Sequence, residues 1–318
     1  MSNLSELTIG VLYGGPSAER EVSLESGKNV AEALEQAGHS VKRVIVNAGF
    51  NLETALALDI DVAFLALHGE FGEDGQIQLI LDEAGIPYTG SGPDASALAF
   101  DKVLSKKAYE RANVPTAAWM SLDRAEYQRM GEPSGLDIFP PVVAKPATSG
   151  SSLGVTIVRQ YDQIGNAVER AFRYGESVVI ERFIAGREFT VAVLGREALP
   201  VIELKTTAEF YDYDAKYKSE ETQYICPAQI PDELALKARK YALAAHHALG
   251  CEDLSRTDMI LDKHGMWWVL ETNTLPGMTS HSLLPKAAKA RGISFVQLCE
   301  DLLQRTLDRA KAVHQQAA

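Results

Sequence analysis

Residues 8–38 read TIGVLYGGPSAEREVSLESGKNVAEALEQAG, and the order of their parts decides the fold class. A β-rich run over 8–13 reaches Gly14-Gly15, and a helical stretch from about 21 to 37 ends at Gly38, a residue suited to closing a helix. The rhythm then repeats. Residues 41–46 read as a strand, 52–58 as a short helix, 62–67 as a fully apolar strand, 76–84 as a helix closed by Gly85, and 87–89 as a last short strand. Strands that are apolar throughout and alternate with helices indicate a parallel sheet covered on both faces. A doubly wound α/β domain is therefore expected over residues 1–97.

A boundary falls near Gly90-Ser91-Gly92-Pro93, after which Asp94 is placed as the cap of a helix running to about residue 112. Beyond it the pattern becomes α+β. Strands are expected at 142–145, 155–158, 178–183 and 189–194, with a helix at 162–174. Residues 206–229 cluster tyrosines and charges with little apolar periodicity, which predicts a long loop kept as a lid. A helix at 232–249, strands at 254–261 and 266–271, and a terminal helix at 294–313 complete the reading. Three domains are expected, at 1–97, 98–186 and 187–318.

Composition narrows the function. The 318 residues carry 31 Lys plus Arg against 43 Asp plus Glu, a net charge of -12. That balance excludes electrostatic binding to nucleic acid or to an anionic membrane, because both need a basic surface or stripe. A small polyanion remains possible where a few cations converge. No long apolar run or signal-like leader is seen, and Cys226, Cys251 and Cys299 have no metal-ligand spacing. A soluble, cytoplasmic protein with reduced thiols is expected.

Four motifs carry chemistry. The segment 256–273 predicts a hairpin in which Arg256 and Asp258 share a face, as do Glu271 and Asn273. A two-residue turn at Lys263-His264 would set residue 256 opposite 271 and bring all four to one face; an odd loop would break that alignment. Two carboxylates and an amide oxygen then suit Mg²⁺ or Mn²⁺ with phosphate oxygens, or else form a solvated polar face with a surface ion pair. The segment from Lys145 to Gly154, KPATSGSSLG, ends a strand on a lysine and continues into a Gly/Ser-rich loop. It reads as a phosphate cradle or as a flexible turn, and it is not a Walker sequence. Glu19 follows the first strand at the sheet's ligand-binding edge, where it either holds an ammonium group or matches the charge of a helix N-terminus. His68 opens HGEFGEDG at the end of the third strand, and no Ser or Cys nucleophile motif accompanies it. The dinucleotide fingerprint Gly-x-Gly-x-x-Gly is absent, which argues against a dehydrogenase.

Together, Gly14-Gly-Pro-Ser-Ala-Glu-Arg-Glu-Val-Ser23, His68-Gly-x-x-Gly-Glu-Asp-Gly-x-Ile-Gln78 and Glu271-x-Asn-Thr-x-Pro-Gly277 resemble the D-alanine–D-alanine ligases of the ATP-grasp fold. The resemblance spans nearly the whole chain. It implies an ATP-grasp fold behind the N-terminal α/β domain, and an ATP-dependent enzyme joining two D-alanines through a D-alanyl phosphate for peptidoglycan precursor synthesis. By the same resemblance Glu19 binds the first D-alanine's ammonium, with Ser151 and Tyr217 tying the lid to the site and His68 beside them. Arg256 and the Gly277 N–H stabilise the tetrahedral oxyanion, while Lys216, Ser282 and Leu283 lie near the second D-alanine's carboxylate or the transferring phosphate. Lys102, Lys145, Ser152 and Lys216 attend the ATP phosphates. Glu181, Phe183, Ile184 and Glu188 hold adenine and ribose. Asp258, Glu271 and Asn273 match the ligands of two Mg²⁺ or Mn²⁺ ions, the three residues that the face argument also reaches. Tyr217 favours the dipeptide over D-alanyl-D-lactate, and a homodimer through the N-terminal domain is implied. The rivals are a related carboxylate–amine or D-alanine–hydroxy-acid ligase, and a non-catalytic sensor, which would not need the full set at 256, 258, 271 and 273.

Overall fold

The computed structural model describes residues 4–130, 138–205 and 222–317. Strand β1 (Thr8–Gly14) runs parallel to β2 (Ser40–Val46) on one side and β3 (Val62–Leu65) on the other. Its side chains alternate between two cores. Ile9, Val11 and Tyr13 pack with Val30 and Leu34 of α1 (Arg20–Gln36), whereas Leu12 joins Ala55 of α2 (Leu52–Leu56) and Ile77 and Leu81 of α3 (Gln76–Ala84). Burial on both faces is why these strands lack a polar alternation. The expected strand at 87–89 shrinks to one bridge between Tyr88 and Ala63. Pro87 has no N–H to give, and beyond the bridge the Thr89 hydroxyl, not a backbone carbonyl, accepts from the Leu65 amide at 3.0 Å.

The single helix expected from Asp94 is two helices, α4 (Pro93–Phe100) and α5 (Lys102–Arg111). Gly92 is the first cap, with Pro93 at the first helical position. Asp101 breaks the run because its backbone is extended and its carboxylate accepts from the amides of Val103 and Leu104. The break starts a helix on Lys102, whose amide donates to the Ala147 carbonyl at 2.9 Å.

A second, antiparallel sheet orders β4 (Trp119–Asp123), β7 (Ser177–Arg182), β5 (Val142–Pro146) and β6 (Thr156–Val158). Helix α6 (Arg124–Met130) follows β4, and α7 (Ile164–Ala171) seals the sheet through Ile164, Ala167 and Val168. Strand β4 was not expected; it is an edge strand, mostly half-buried, and lacks an apolar run.

The third sheet has the path β11 (Gln223–Ile225), β10 (Ile202–Lys205), β8 (Gly186–Leu194), β12 (Leu254–Asp262) and β13 (Trp267–Asn273), with β9 (Glu197–Ala198) paired to β8. Residues 223–225 of the expected lid loop are thus a strand. The rest of that loop at 206–221, with Lys216 and Tyr217, lies outside the described residues. Helix α8 (Asp232–Ala248) lays Ala238, Ala242 and Ala245 on Phe189, Met259 and Trp267. Helices α9 (Leu283–Ala290) and α10 (Phe295–Ala317) return to β1, so Leu284, Leu298 and Leu302 share one core with Ile9, Val11 and Leu194. Each such buried leucine is worth about 1.5–3 kcal/mol relative to exposure, which binds the third sheet to the first. Among the described residues no helix is long and apolar enough to cross a membrane.

The β12–β13 hairpin corrects the expected register. Arg256 stands opposite Asn273 and Asp258 opposite Glu271, not 256 opposite 271. The connection is longer than two residues: Leu261 pairs Trp267, the Asp262 amide donates to the Met266 carbonyl, and Gly265 takes a φ of 77°. That odd loop alone would have turned Thr272 toward the polar face. A bulge where Met259 pairs Val269 inserts Leu270 as an extra residue and restores the phase. All four polar residues share a face for a reason the even-turn argument did not contain.

Candidate functional site

Two adjoining cavities, of about 1130 and 610 Å³, meet where the three sheets converge. Both are walled by Lys102, residues 149–151 and Glu271. The larger extends to Glu19, His68, Arg256, Asn273, Gly277 and Ser282; the smaller extends to Lys145, Ser152, Glu181, Glu188 and Asp258. Every sequence-derived candidate within the described residues lines one cavity or the other, Phe183 and Ile184 in the smaller and Leu283 in the larger included.

Glu19 caps α1, yet its side chain makes no capping bond. It turns instead to the Ser151 hydroxyl, which donates to Oε1 across 132 residues of sequence. Two glycines leave room for the carboxylate: a Cβ at Gly69 or Gly150 would stand 2.7 or 2.6 Å from Oε2. Ser151 and Ser152 have φ of 51° and 59°, a left-handed pair uncommon outside glycine.

His68 is fully engaged. Nδ1 lies 3.1 Å from the Leu275 carbonyl, which can only accept, so Nδ1 carries the proton and Nε2 accepts from the Ser26 hydroxyl at 3.0 Å. Ser26 in turn accepts from the Met278 amide at 3.2 Å. The imidazole thus braces the loop that carries Gly277 against α1. Glu73 sits 3.8 Å from Nδ1, and burial raises its carboxyl above the ordinary value.

At the far end of the smaller cavity Glu181 is enclosed by two ammonium groups, Lys145 on Oε1 and Lys106 on Oε2, each at 2.6 Å. Burial alone would raise its carboxyl, but the two cations outweigh burial and hold it well below the ordinary carboxylate range. Val143, Val155, Phe183, Ile260 and Leu270 give the cavity apolar faces suited to a flat ring, with Arg182, Arg187, Glu188 and Glu203 also in its lining. Leu270 reaches it because of the bulge. At the shared rim Lys102 donates to the Ser149 carbonyl at 2.6 Å and lies 3.6 Å from Glu271.

Arg256 grips Asp258 through two bonds of 2.9 and 2.8 Å, and Thr190 donates to the same carboxylate at 2.6 Å. Asn273 Oδ1 accepts from the Leu275 amide at 2.9 Å. Ser282 is fixed by Thr279, whose amide donates to its Oγ at 3.0 Å, and a Cβ on Gly277 would stand 2.6 Å from that oxygen. No group of three or more His, Cys, Asp or Glu arranged to hold a metal occurs among the described residues; the hairpin set relies on an amide for its third oxygen.

Lys106, Glu73, Ser26 and Leu270 escaped the sequence reading. For Lys106 a signal existed: it lies four residues after Lys102, on the same helix face. Leu270 had none, since a bulge has no signature in this hairpin.

A parallel-sheet domain set against two antiparallel sheets that enclose a lysine-lined cleft defines the ATP-grasp class. The family profile of the D-ala D-ala ligase C-terminus matches residues 109–304, and that of the N-terminus matches 48–91. A D-alanine–D-alanine ligase of Bordetella petrii is 46% identical over 301 residues, 93% of this chain and 90% of the relative. The crystal structure of such a ligase from Bacillus anthracis superposes with a TM-score of 0.84 at 36% identity, covering 96% of this chain and 99% of that one. A structure of the B. anthracis ligase complexed with ATP gives 0.81 at 33% identity over the same shares. The chain belongs to the D-alanine–D-alanine ligase family.

Proposed function

We propose that the chain joins two D-alanines at the junction of its two cavities, converting ATP and two D-alanines to D-alanyl-D-alanine, ADP and phosphate for peptidoglycan precursor synthesis. One observation carries the reading. The cavities share Lys102, residues 149–151 and Glu271, so a pocket that holds the Glu19 carboxylate adjoins one that holds the Lys145 ammonium.

In this reading Glu19, steadied by Ser151, binds the ammonium of the first D-alanine and aims its carboxylate at the shared rim. Nucleotide lies in the apolar slot with its base near Glu181, Phe183 and Ile184, its ribose near Glu188 and its phosphates toward Lys145, Lys102 and Ser152. The carboxylate attacks the γ-phosphate, ADP leaves, and an acyl phosphate results. The amine of the second D-alanine, held near Ser282 and Leu283, then adds to the acyl carbon. Arg256 and the Gly277 N–H receive the developing oxyanion, and collapse expels phosphate. Tyr217 and Lys216, from the 206–221 segment, keep the lid roles that the resemblance implies.

Two Mg²⁺ or Mn²⁺ ions belong to the same proposal. Asp258, Glu271 and Asn273 fit a hard cation because they supply only oxygen donors on one face of the hairpin, facing the cavities. A metal there would supply neutralising charge to the phosphates. The division into domains 1–97, 98–186 and 187–318 is likewise proposed, supported by the three sheets. A homodimer through the N-terminal domain accords with Leu56 and Leu79, exposed on the mutually packed α2 and α3, and sedimentation tests it. A cytoplasmic location accords with three free thiols.

The deciding experiment is phosphate release from ATP with Mg²⁺ and D-alanine, L-alanine or D-lactate with D-alanine. Release with D-alanine alone and formation of the dipeptide support the reading; no release at millimolar D-alanine overturns it.

A further inference from the structure

Lys106 lines neither cavity, and its side chain is fully buried. Its ammonium touches Glu181 Oε2 at 2.6 Å and donates to Thr116 Oγ1 at 2.7 Å; that hydroxyl donates to the Val269 carbonyl at 3.0 Å. Lys145, on the other oxygen of Glu181, does face the cavity. Two cations thus share one anion at the buried end of the slot.

We propose that Lys106 is a standing counter-ion for Glu181, a positioning residue that frees Lys145 to turn to an anionic phosphate chain. The inference rests on the nucleotide reading of the smaller cavity. With Lys145 as its sole partner, Glu181 would be stranded as a bare buried carboxylate each time Lys145 left it, and the ligand would have to offset that loss. With Lys106 in place, Glu181 keeps a partner throughout, so Lys145 exchanges one anion for another. Thr116 holds the ammonium on the Glu181 side and links it to β13, one residue before the inserted Leu270. Burial lowers the Lys106 pKa, while the charge of Glu181 opposes that effect.

The test uses calorimetric binding of magnesium tripolyphosphate, which has no base to contact Glu181, to the full chain. The natural chain, Lys106→Met, Lys106→Gln and the double variant Lys106→Met with Glu181→Gln are compared. Each single variant is expected to bind at least about tenfold more weakly, because Glu181 now retains Lys145. The double variant is expected to recover to within about threefold, since no carboxylate remains to hold that lysine. Unchanged affinity in the single variants, or no recovery in the double one, overturns the inference. Failure of the natural chain to bind either tripolyphosphate or ATP overturns the nucleotide reading instead.

Discussion

Gly150→Ala isolates the contact on which the amino-acid end of the site depends. A Cβ at this position would stand 2.6 Å from Oε2 of Glu19 and 3.3 Å from its Cδ, where ordinary contact begins at 3.4 Å. The carboxylate must retreat by about 0.8 Å, which shifts it from the position in which it accepts from the Ser151 hydroxyl and weakens that bond. A hydrogen bond to a charged group is worth about 1.5–3 kcal/mol. At 1.36 kcal/mol per factor of ten, weakening of that bond should lower kcat/KM for D-alanine by up to about 150-fold. ATP affinity should stay within about threefold, because the added methyl points toward Glu19 and away from the nucleotide slot. Stability should hardly change, since the φ of Gly150 is not among the positive ones. Gly69→Ala would press on the same oxygen, but its φ of 70° adds backbone strain and confuses the readout. The assay is coupled ADP release across D-alanine concentrations, with calorimetric ATP binding alongside. A folded Gly150→Ala variant with unchanged D-alanine kinetics, or with equal losses for D-alanine and ATP, refutes the reasoning.

Glu271→Gln should abolish turnover while leaving the thermal midpoint within about 2–4 °C, the effect of roughly 1 kcal/mol; turnover within twofold of the natural chain would remove Glu271 from the metal set. Burial depresses the His246 pKa from 6.5 to about 4, so the folded state resists a proton that the unfolded chain accepts. Stability is therefore full above the unfolded value and falls as pH drops through 6.5 toward 4, by about 2 kcal/mol at pH 5. Urea midpoints should show that acid loss in the natural chain and a smaller one in His246→Gln; parallel curves would refute it. Arg309 donates to Asp253 at 2.6 Å and to the Tyr88 carbonyl at 2.9 Å, fastening α10 to the first sheet. Arg309→Met should cost about 3 kcal/mol at pH 8 and progressively less as the pH falls, because burial already raises the Asp253 carboxyl and loss of the guanidinium raises it further; a pH-independent cost would contradict this assignment.

Much of the site was legible because its residues sit at fixed offsets within short motifs. Arg256, Asp258, Glu271 and Asn273 could be placed on one face by counting alternation along two strands. The count succeeded only because two one-residue offsets, the odd loop and the inserted Leu270, restore each other's phase, and neither is visible in the letters. Lys106 was passed over because its partner lies 75 residues away on β7, although its spacing from Lys102 was in plain sight. Strand β4 was missed for a different reason: an edge strand half open to solvent needs no apolar run.

The amino-acid sequence by itself determined the alternating strands and helices of the first domain and, through motifs that are continuous in the chain, the family. Those features depend on local periodicity, backbone preference and composition, which neighbouring residues express without help. Tertiary structure alone decided that Glu19 meets Ser151, that two lysines close on Glu181, and that the hairpin carries its polar residues in phase. Each of these is a pairing between segments far apart in sequence or a register between strands, and such pairings are settled by how whole cores pack, not by the residues alongside.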